Sequence, residues 1–435
     1  MKKFSFKGGT HIHKAAEKKE LTVSSEVEIL KSPEYLYLPL NQQLGKPSIP
    51  IVNVGDQVKA GQKIAEKDGA FSSNLHSPIS GIVEKVDYLI NEPTGNRSKA
   101  IVIKNDFNNQ EIAFIKRSTQ EALGLTSKNI TDIMEEAGLV GLGGATFPTS
   151  IKYTGNKKCE MVILNGIECE PYNTADYIIM KKHYKEVIRG LKYMLIASGA
   201  PKGVICVEDN KMDVYEAIKN ELKGEPAISV ALFKEKYPQG AEKQLISALT
   251  KKEVPYGGLP IDIGIIVNNV GTAMALCEAV EEGKPLTHHY LTVTGNVSSP
   301  KNYLVPVGTL FSEVVSEDDL AKNKVLLAGG LMIGKAMYTT HTPVTKGINA
   351  VICLEDMPKK GPELPCVRCS SCIDECPAFL EPTTLANLVK YNKYDQLEEN
   401  GLLACIECGT CSYVCPSHIQ LLDYIRHGKY ELRRR

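Results

Sequence analysis

Eight of the thirteen cysteines lie between Cys366 and Cys415, and they form two copies of one pattern. Cys366-x2-Cys369-x2-Cys372-x3-Cys376-Pro377 recurs as Cys405-x2-Cys408-x2-Cys411-x3-Cys415-Pro416, every cysteine displaced by 39 residues. A tight three-cysteine loop followed by a cysteine before proline is the spacing that wraps a 4Fe-4S cluster, the fourth thiolate crossing to the neighbouring cluster. Cluster one is then expected on Cys366, Cys369, Cys372 and Cys415, and cluster two on Cys405, Cys408, Cys411 and Cys376. Zinc also uses Cys-x2-Cys pairs, but a third cysteine at the same spacing and a following proline add nothing to a tetrahedral site. Crossed ligation holds two clusters close together, which suits an electron wire. The other five cysteines, Cys159, Cys169, Cys206, Cys277 and Cys353, are scattered and read as buried packing.

A second chemistry-bearing segment is Gly141-Leu-Gly143-Gly144-Ala-Thr-Phe147-Pro148. Its glycines let backbone amides approach a phosphate closely. It departs from the usual dinucleotide fingerprint because an apparent helix, Asn129 to Ala137, precedes it where that fingerprint requires a strand.

The elements that must position these groups follow from periodicity. Residues 1 to about 115 hold short apolar runs punctuated by Gly and Pro, which read as β-rich. From about 127 to 283, strands expected at Met161 to Asn165, Gly203 to Val207, Ile228 to Phe233 and Ile263 to Asn268 alternate with helices at Asp176 to Ala197, Met212 to Leu222 and Thr272 to Glu282. Such alternation means βαβ units and a parallel sheet. Residues 288 to about 355 return to strands, and a helix is expected from Thr383 to Asn400. Arg433, Arg434 and Arg435 read as a solvated tail.

Composition narrows the function. At 435 residues the chain is long for one core and is expected to form three or four domains. Fifty-one basic residues balance fifty-one acidic ones, so no overall field gathers nucleic acid. The longest apolar candidate, Val325 to Met337, is broken by Gly329, Gly330 and Gly334 and falls short of the about 18 residues a membrane span needs. The opening MKKFSFKGGTHIH has charges but no apolar run, so no secretory signal is expected.

Three resemblances organise these readings. Ile51-Val-Asn-Val-Gly55-Asp-Gln-Val-Lys-Ala-Gly61-Gln-Lys-Ile64 and His76-Ser-Pro-Ile-Ser-Gly81-Ile-Val-Glu-Lys-Val86 resemble the halves of a lipoyl or biotinyl barrel-sandwich. The hairpin tip, Asp68-Gly-Ala-Phe-Ser-Ser-Asn74, lacks the carrier lysine, so a docking or structural role is expected. The glycine loop is similar to the GRGGAGFPTG loop of the flavin and NADH-binding subunit of respiratory complex I and of NAD-reducing hydrogenases. Asn165-Gly-Ile-Glu168-Cys-Glu170-Pro171 resembles that family's NADESEP, Gly240-Ala-Glu242 its GEE, and Asn268-Asn269-Val-Gly-Thr272 its NNVET. The resemblance implies that Gly141, Gly143, Gly144, Lys152, Asn165, Asn268, Asn269 and Thr272 cradle FMN. It implies that Phe147, Glu170 and Glu242 face the nicotinamide nucleotide, and it adds Glu168 to the cofactor-binding set. Leu142 stands where the family has Arg, and Ile167 where it has Asp.

The whole order, with Gly8-Gly9-Thr-His-Ile-His13 at the start and the paired cysteine motifs at the end, resembles the C subunits of Rnf complexes. The implied fold is multidomain α/β plus β: a barrel-sandwich hybrid over 1–115, an α/β FMN/NAD-binding domain with a parallel sheet over 116–285, a β-grasp, soluble-ligand-binding module over 286–355, and a helical two-cluster ferredoxin domain over 356–435. The implied activity is ferredoxin:NAD+ oxidoreduction coupled in the whole complex to Na+ or H+ movement. Ferredoxin supplies single electrons and NAD+ takes a hydride, so a flavin between them meets a chemical need. No residue is nominated as a general base or nucleophile. Expected partners are the integral membrane and iron-sulfur subunits of the same complex, ferredoxin indirectly, and NAD(H) as substrate, with the chain peripheral on the cytoplasmic face of the cell membrane. Two other readings stand beside this one: a flavin-binding component of a soluble hydrogenase or dehydrogenase, and an electron-wire adaptor without nucleotide binding.

Overall fold

The computed structural model describes residues 2–356 and 361–434. Its centre is a five-stranded sheet whose strands Met161–Gly166, Gly203–Glu208, Ile228–Phe233 and Ile265–Asn269 are nearly continuous apolar runs. Such runs suit a parallel sheet covered on both faces, and every pair in it is parallel. The order is Lys3–Phe4, Ile228–Phe233, Gly203–Glu208, Met161–Gly166, Ile265–Asn269. The fourth expected strand begins two residues later than Ile263, because Pro260–Ile263 closes a 3-10 turn first.

One face of this sheet carries the helix Ala175–Ser198, crossed by Val270–Glu281. The crossing is close: a Cβ placed on Gly190 would lie 1.9 Å from the Ala273 carbonyl oxygen. Two short N-terminal segments pair into other sheets. Lys3–Phe4 forms the edge of the central sheet, and Val27–Ile29 pairs with Lys301–Pro306 in another.

Residues 35–105 form two small sheets around Leu36, Leu38, Ile64, Val83, Ile101 and Ile103, all fully buried. The hairpin joining Lys63–Glu66 to Leu75–His76 carries the expected tip at 68–74. The third unit is a mixed six-stranded sheet in the order Lys335–Met337, Val325–Ala328, Ala350–Leu354, His288–Gly295, Lys301–Pro306, Val27–Ile29. Val325 to Met337 is thus two strands and a glycine turn.

In the C-terminal unit the helix expected from Thr383 to Asn400 stops at Lys390. Asn392 takes φ +56, the left-handed conformation that ends a helix, and Tyr394–Gln396 is a separate 3-10 turn. Arg433 and Arg434 are exposed, but they end an amphipathic helix, Leu421–Arg434, rather than a loose tail; Arg435 lies outside the described residues. Leu421 and Ile425 of that helix pack against Leu385 and Val389.

Candidate functional site

The two cysteine motifs repeat in conformation as well as in sequence. Arg368 and Ser370 in the first loop, and Glu407 and Gly409 in the second, all have positive φ. These turns curl each loop so that its backbone amides face sulfur: Arg368 N donates to Cys366 Sγ at 3.4 Å and Glu407 N to Cys405 Sγ at 3.3 Å. Short helices Ser371–Asp374 and Thr410–Tyr413 then hold Cys372 and Cys411.

Cys366, Cys369, Cys372 and Cys415 line one cavity of ≈ 650 Å³. Cys405, Cys408 and Cys411 line another, of ≈ 350 Å³, with Cys376 from the first motif. Among the described residues no three Cys, His, Asp or Glu side chains converge tightly enough to hold a single metal ion. Four cysteine sulfurs at each cavity are the donor set of a 4Fe-4S cluster. Burial pushes the thiols of Cys405 and Cys411 up to about 11 and about 12, so a bound cluster must displace their protons. Cys366 and Cys369 are exposed, so the first set faces solvent, whereas every cysteine of the second set is buried or half-buried.

The glycine loop is closed at its neck. Gly141 N donates to the Phe147 carbonyl at 2.9 Å and Thr149 N to the Leu139 carbonyl at 2.9 Å. Gly143, Gly144 and Ala145 are left exposed at its tip. Thr272 does not face the cavity: its hydroxyl accepts from Leu142 N at 3.0 Å and donates to the Val140 carbonyl at 3.3 Å, so it pins the loop to a helix. Leu142 is buried in the helical core.

Beside this loop, at the carboxyl ends of Met161–Gly166 and Ile265–Asn269, lies a cavity of ≈ 1170 Å³. It is the crevice where an open α/β sheet binds ligands, since the chain order reverses there. The structure brings Gly141, Gly143, Phe147, Lys152, Asn165, Glu168, Glu170, Glu242, Asn268 and Asn269 to its walls. Gly144 lies instead on a neighbouring cleft. Three helices, Ala175–Ser198, Glu242–Thr250 and Val270–Glu281, start at the cavity and direct the positive ends of their dipoles toward it.

Several side chains are already committed. Lys152 donates to the Val267 carbonyl at 2.6 Å, and burial lowers its pKa while Glu242 opposes that. Asn165 bridges the Gly240 carbonyl and Ile167 N. Glu168 accepts from Asp176 N at 2.8 Å and sits with Lys211 and Glu208 in a buried charge cluster. Asn268 donates to the Tyr153 hydroxyl at 2.6 Å, while its Oδ1 is buried without a partner. A ligand that donates there, together with the side-chain-free rim at Gly143, fits a flavin with its phosphate at the helix starts.

Residues beyond the segments read as flavin or nucleotide contacts complete the walls. Asp176 accepts from Asn269 Nδ2 at 2.8 Å, and burial, reinforced by Glu168, raises its carboxyl to about 7. Tyr237, just ahead of Gly240, donates to the Cys408 carbonyl at 2.8 Å and lies 3.2 Å from Glu170 Oε1. Glu170 also accepts from Met332 N at 2.9 Å, and burial raises its carboxyl to about 7 despite both hydrogen bonds. Ile333 and Asn349 come from the mixed sheet, and Ile406 and Cys408 from the second cysteine loop. No local signal marked Ile333, Asn349 or Ile406, and Cys408 was marked only as a cluster ligand, because only packing of separate units brings them to this cavity. Tyr237 could have been suspected from its place three residues before the Gly-Ala-Glu segment.

The RnfC barrel sandwich hybrid domain family matches residues 4–108, the Nuo51 FMN-binding domain family residues 134–278, and a 4Fe-4S dicluster domain family residues 365–420. The chain accordingly carries an FMN site and a pair of 4Fe-4S sites. It is 39% identical to the C subunit of the proton-translocating ferredoxin:NAD(+) oxidoreductase complex of Clostridium ljungdahlii, over 99% of this chain and 94% of that one. It is 38% identical to the C subunit of the Na(+)-translocating complex of Acetobacterium woodii, over 92% and 90%. With the C subunit of the ion-translocating oxidoreductase complex of Haemophilus influenzae it shares 37% identity over 99% of this chain and 66% of that one. Fold, cavity walls, paired cysteine sets and full-length similarity agree: the chain belongs to the family of C subunits of Rnf-type ferredoxin:NAD(+) oxidoreductase complexes.

Proposed function

We propose that this chain is the peripheral subunit in which electrons from ferredoxin, arriving through partner iron-sulfur subunits, reach NAD+. The observation that carries this reading is that Cys408 and Ile406 form part of the wall of the cavity lined by Gly143, Asn268 and Glu170. The second cysteine set therefore adjoins the flavin site, and the solvent-facing first set is the side of electron entry. The bound groups supply one-electron relay at the clusters and pairing of those electrons into a hydride at the flavin.

The chain's own residues bind and orient. Gly141 and Gly143 give backbone access, Asn165, Asn268 and Asn269 offer amide groups, and Lys152 supplies the nearby positive charge. Glu170 and Glu242 are assigned to the nicotinamide side with Phe147. Glu170, with its raised affinity for a proton and its contact with Tyr237, can hold or release a proton at the cavity wall. The 286–355 unit, assigned as the β-grasp module, closes the site through Ile333 and Asn349.

No helix among the described residues is long and apolar enough to cross a membrane. Ion movement and membrane attachment are accordingly assigned to integral partner subunits on whose cytoplasmic face this chain docks. The test is the anaerobically reconstituted chain alone. NADH should bleach the flavin absorbance and then reduce the clusters, with no ion uptake in vesicles that lack the partners. Flavin that stays oxidised under excess NADH would overturn the reading in favour of an electron-wire adaptor.

A further inference from the structure

The opening Gly8-Gly9-Thr10 segment belongs to neither the flavin cavity nor a cysteine motif, yet it runs between them. It leaves the sheet-edge strand Lys3–Phe4, where Lys234 N donates to the Phe4 carbonyl at 2.9 Å. Gly8 and Gly9 take φ +73 and +74, the left-handed region that glycine enters freely. Gly9 N donates to the Glu375 carbonyl at 2.8 Å. A Cβ on Gly8 would lie 2.7 Å from the Cys376 carbonyl oxygen, and one on Gly9 would lie 2.5 Å from the Tyr237 carbonyl oxygen. Thr10 and Tyr237 then exchange two backbone hydrogen bonds, at 2.7 and 2.8 Å. Both glycines are therefore needed for close backbone approach as well as for their turn.

These contacts converge on one cluster site. Cys376 is the ligand that crosses from the first motif to the cavity of Cys405, Cys408 and Cys411. Gly9 holds the residue before it, and Gln244 holds the residue after it, donating from Nε2 to the Pro377 carbonyl at 3.1 Å. Gln244 lies in Glu242–Thr250, a helix that starts at the flavin cavity. Tyr237, gripped by Thr10, donates its hydroxyl to the Cys408 carbonyl at 2.8 Å. The second site is thus tied to the flavin domain through main-chain groups of both its loops. The first site is tied within its own unit, where Ser417 Oγ donates to the Pro365 carbonyl at 3.0 Å and Leu364 N to the Ser417 carbonyl at 2.9 Å.

We infer that Gly8, Gly9 and Thr10 form a strap that sets the separation between the second cluster and the flavin. Gly8, Gly9 and Gln244 are positioning residues for electron exchange between the two groups. They stand outside the walls of both cavities, so they hold the two sites together without holding either group. Exchange between groups on separately folded units is sensitive to small misplacement, and a bracket of backbone hydrogen bonds has no rotamers to lose. This assignment rests on the reading above that the second cluster adjoins the flavin.

The test uses the full chain reconstituted anaerobically with FMN and clusters, mixed rapidly with NADH and followed by absorbance and EPR. In wild type, flavin bleaching should be followed by reduction of the cluster on Cys376, Cys405, Cys408 and Cys411. Gly8→Val should leave iron, flavin content and flavin bleaching unchanged, but slow reduction of that cluster on the order of tenfold or more. The EPR signal of that cluster should shift, and the signal of the other should not. Gly224→Ala, at another left-handed glycine with nothing within 4 Å, should change none of these. If Gly8→Val fails to fold or to load the cluster, Gln244→Met decides, with slowed reduction again expected. Unchanged cluster reduction and EPR in the folded variants, or equal slowing in Gly224→Ala, with NADH still bleaching the flavin, would overturn this inference and leave the proposed function standing. Failure of NADH to reduce wild-type flavin would overturn both.

Discussion

Lys346 joins three domains, and its environment makes a quantitative prediction. It extends from the mixed-sheet unit, is 1% exposed, and donates from Nζ to the Asn74 carbonyl at 3.0 Å and the Gly138 carbonyl at 2.8 Å. Asn74 ends the barrel-sandwich hairpin, and Gly138 precedes the glycine loop. A Cβ on Gly138 would lie 2.3 Å from the Asn74 carbonyl oxygen, so glycine permits this approach. Among the described residues no carboxylate pairs with the ammonium, and burial lowers its pKa from 10.5 to about 7. Between those values the unfolded chain holds more protons than the folded one, so stability rises with pH. A lysine of pKa about 7 folded and 10.5 unfolded adds roughly 2 kcal/mol between pH 7 and pH 9, at about 1.4 kcal/mol per unit in the middle of that window. Below pH 7 both states are charged and the difference levels off. Lys346→Met keeps most of the volume and removes the titration. Denaturant midpoints for wild type and variant, measured anaerobically at pH 7, 8 and 9, should diverge by that amount, with wild type gaining. Parallel curves would refute the claim that Lys346 is buried without a counter-charge.

Other outcomes follow from the sites. Anaerobic reconstitution should give about eight irons per chain, and stoichiometric zinc in their place would sink the cluster assignment. Cys376→Ser should disturb the EPR signal of the cluster held by Cys405, Cys408 and Cys411, since it lines that cavity, and leave the other intact. Gly143→Val should keep iron but weaken flavin on the order of tenfold or more. A Cβ there stands an ordinary 3.5 Å from Asn269, so unchanged flavin content would remove the loop from the site. Gly190→Ala should cost about 1–3 kcal/mol, read as a lower Tm, because the added methyl meets the Ala273 backbone.

Much of the molecule was legible along the chain because the deciding interactions are local. Parallel strands buried on both faces write themselves as apolar runs, which is why Ile228–Phe233 is read to the residue. Ligand spacing within a loop survives in sequence because a few residues of backbone must wrap one cluster. The glycine loop, the Asn268-Asn269 turn and the Asn165 to Pro171 segment likewise carry their chemistry within a few residues of one another.

What the sequence left open are relations between distant segments. Two residues at Lys3–Phe4 close the edge of the central sheet, and three at Val27–Ile29 extend another, too short for any period to announce them. Thr272, read as a cofactor contact, turns its hydroxyl to the loop backbone. Cys408 reaches the flavin cavity through Tyr237, a contact spanning 171 residues. Cysteine spacing determined that this chain holds two iron-sulfur clusters, and the resemblance of four ordered segments put a flavin loop in the same chain. Which cluster touches the cavity, and which domains wall it, were decided by the packing of separately folded cores, because no local pattern encodes where one domain's surface meets another's.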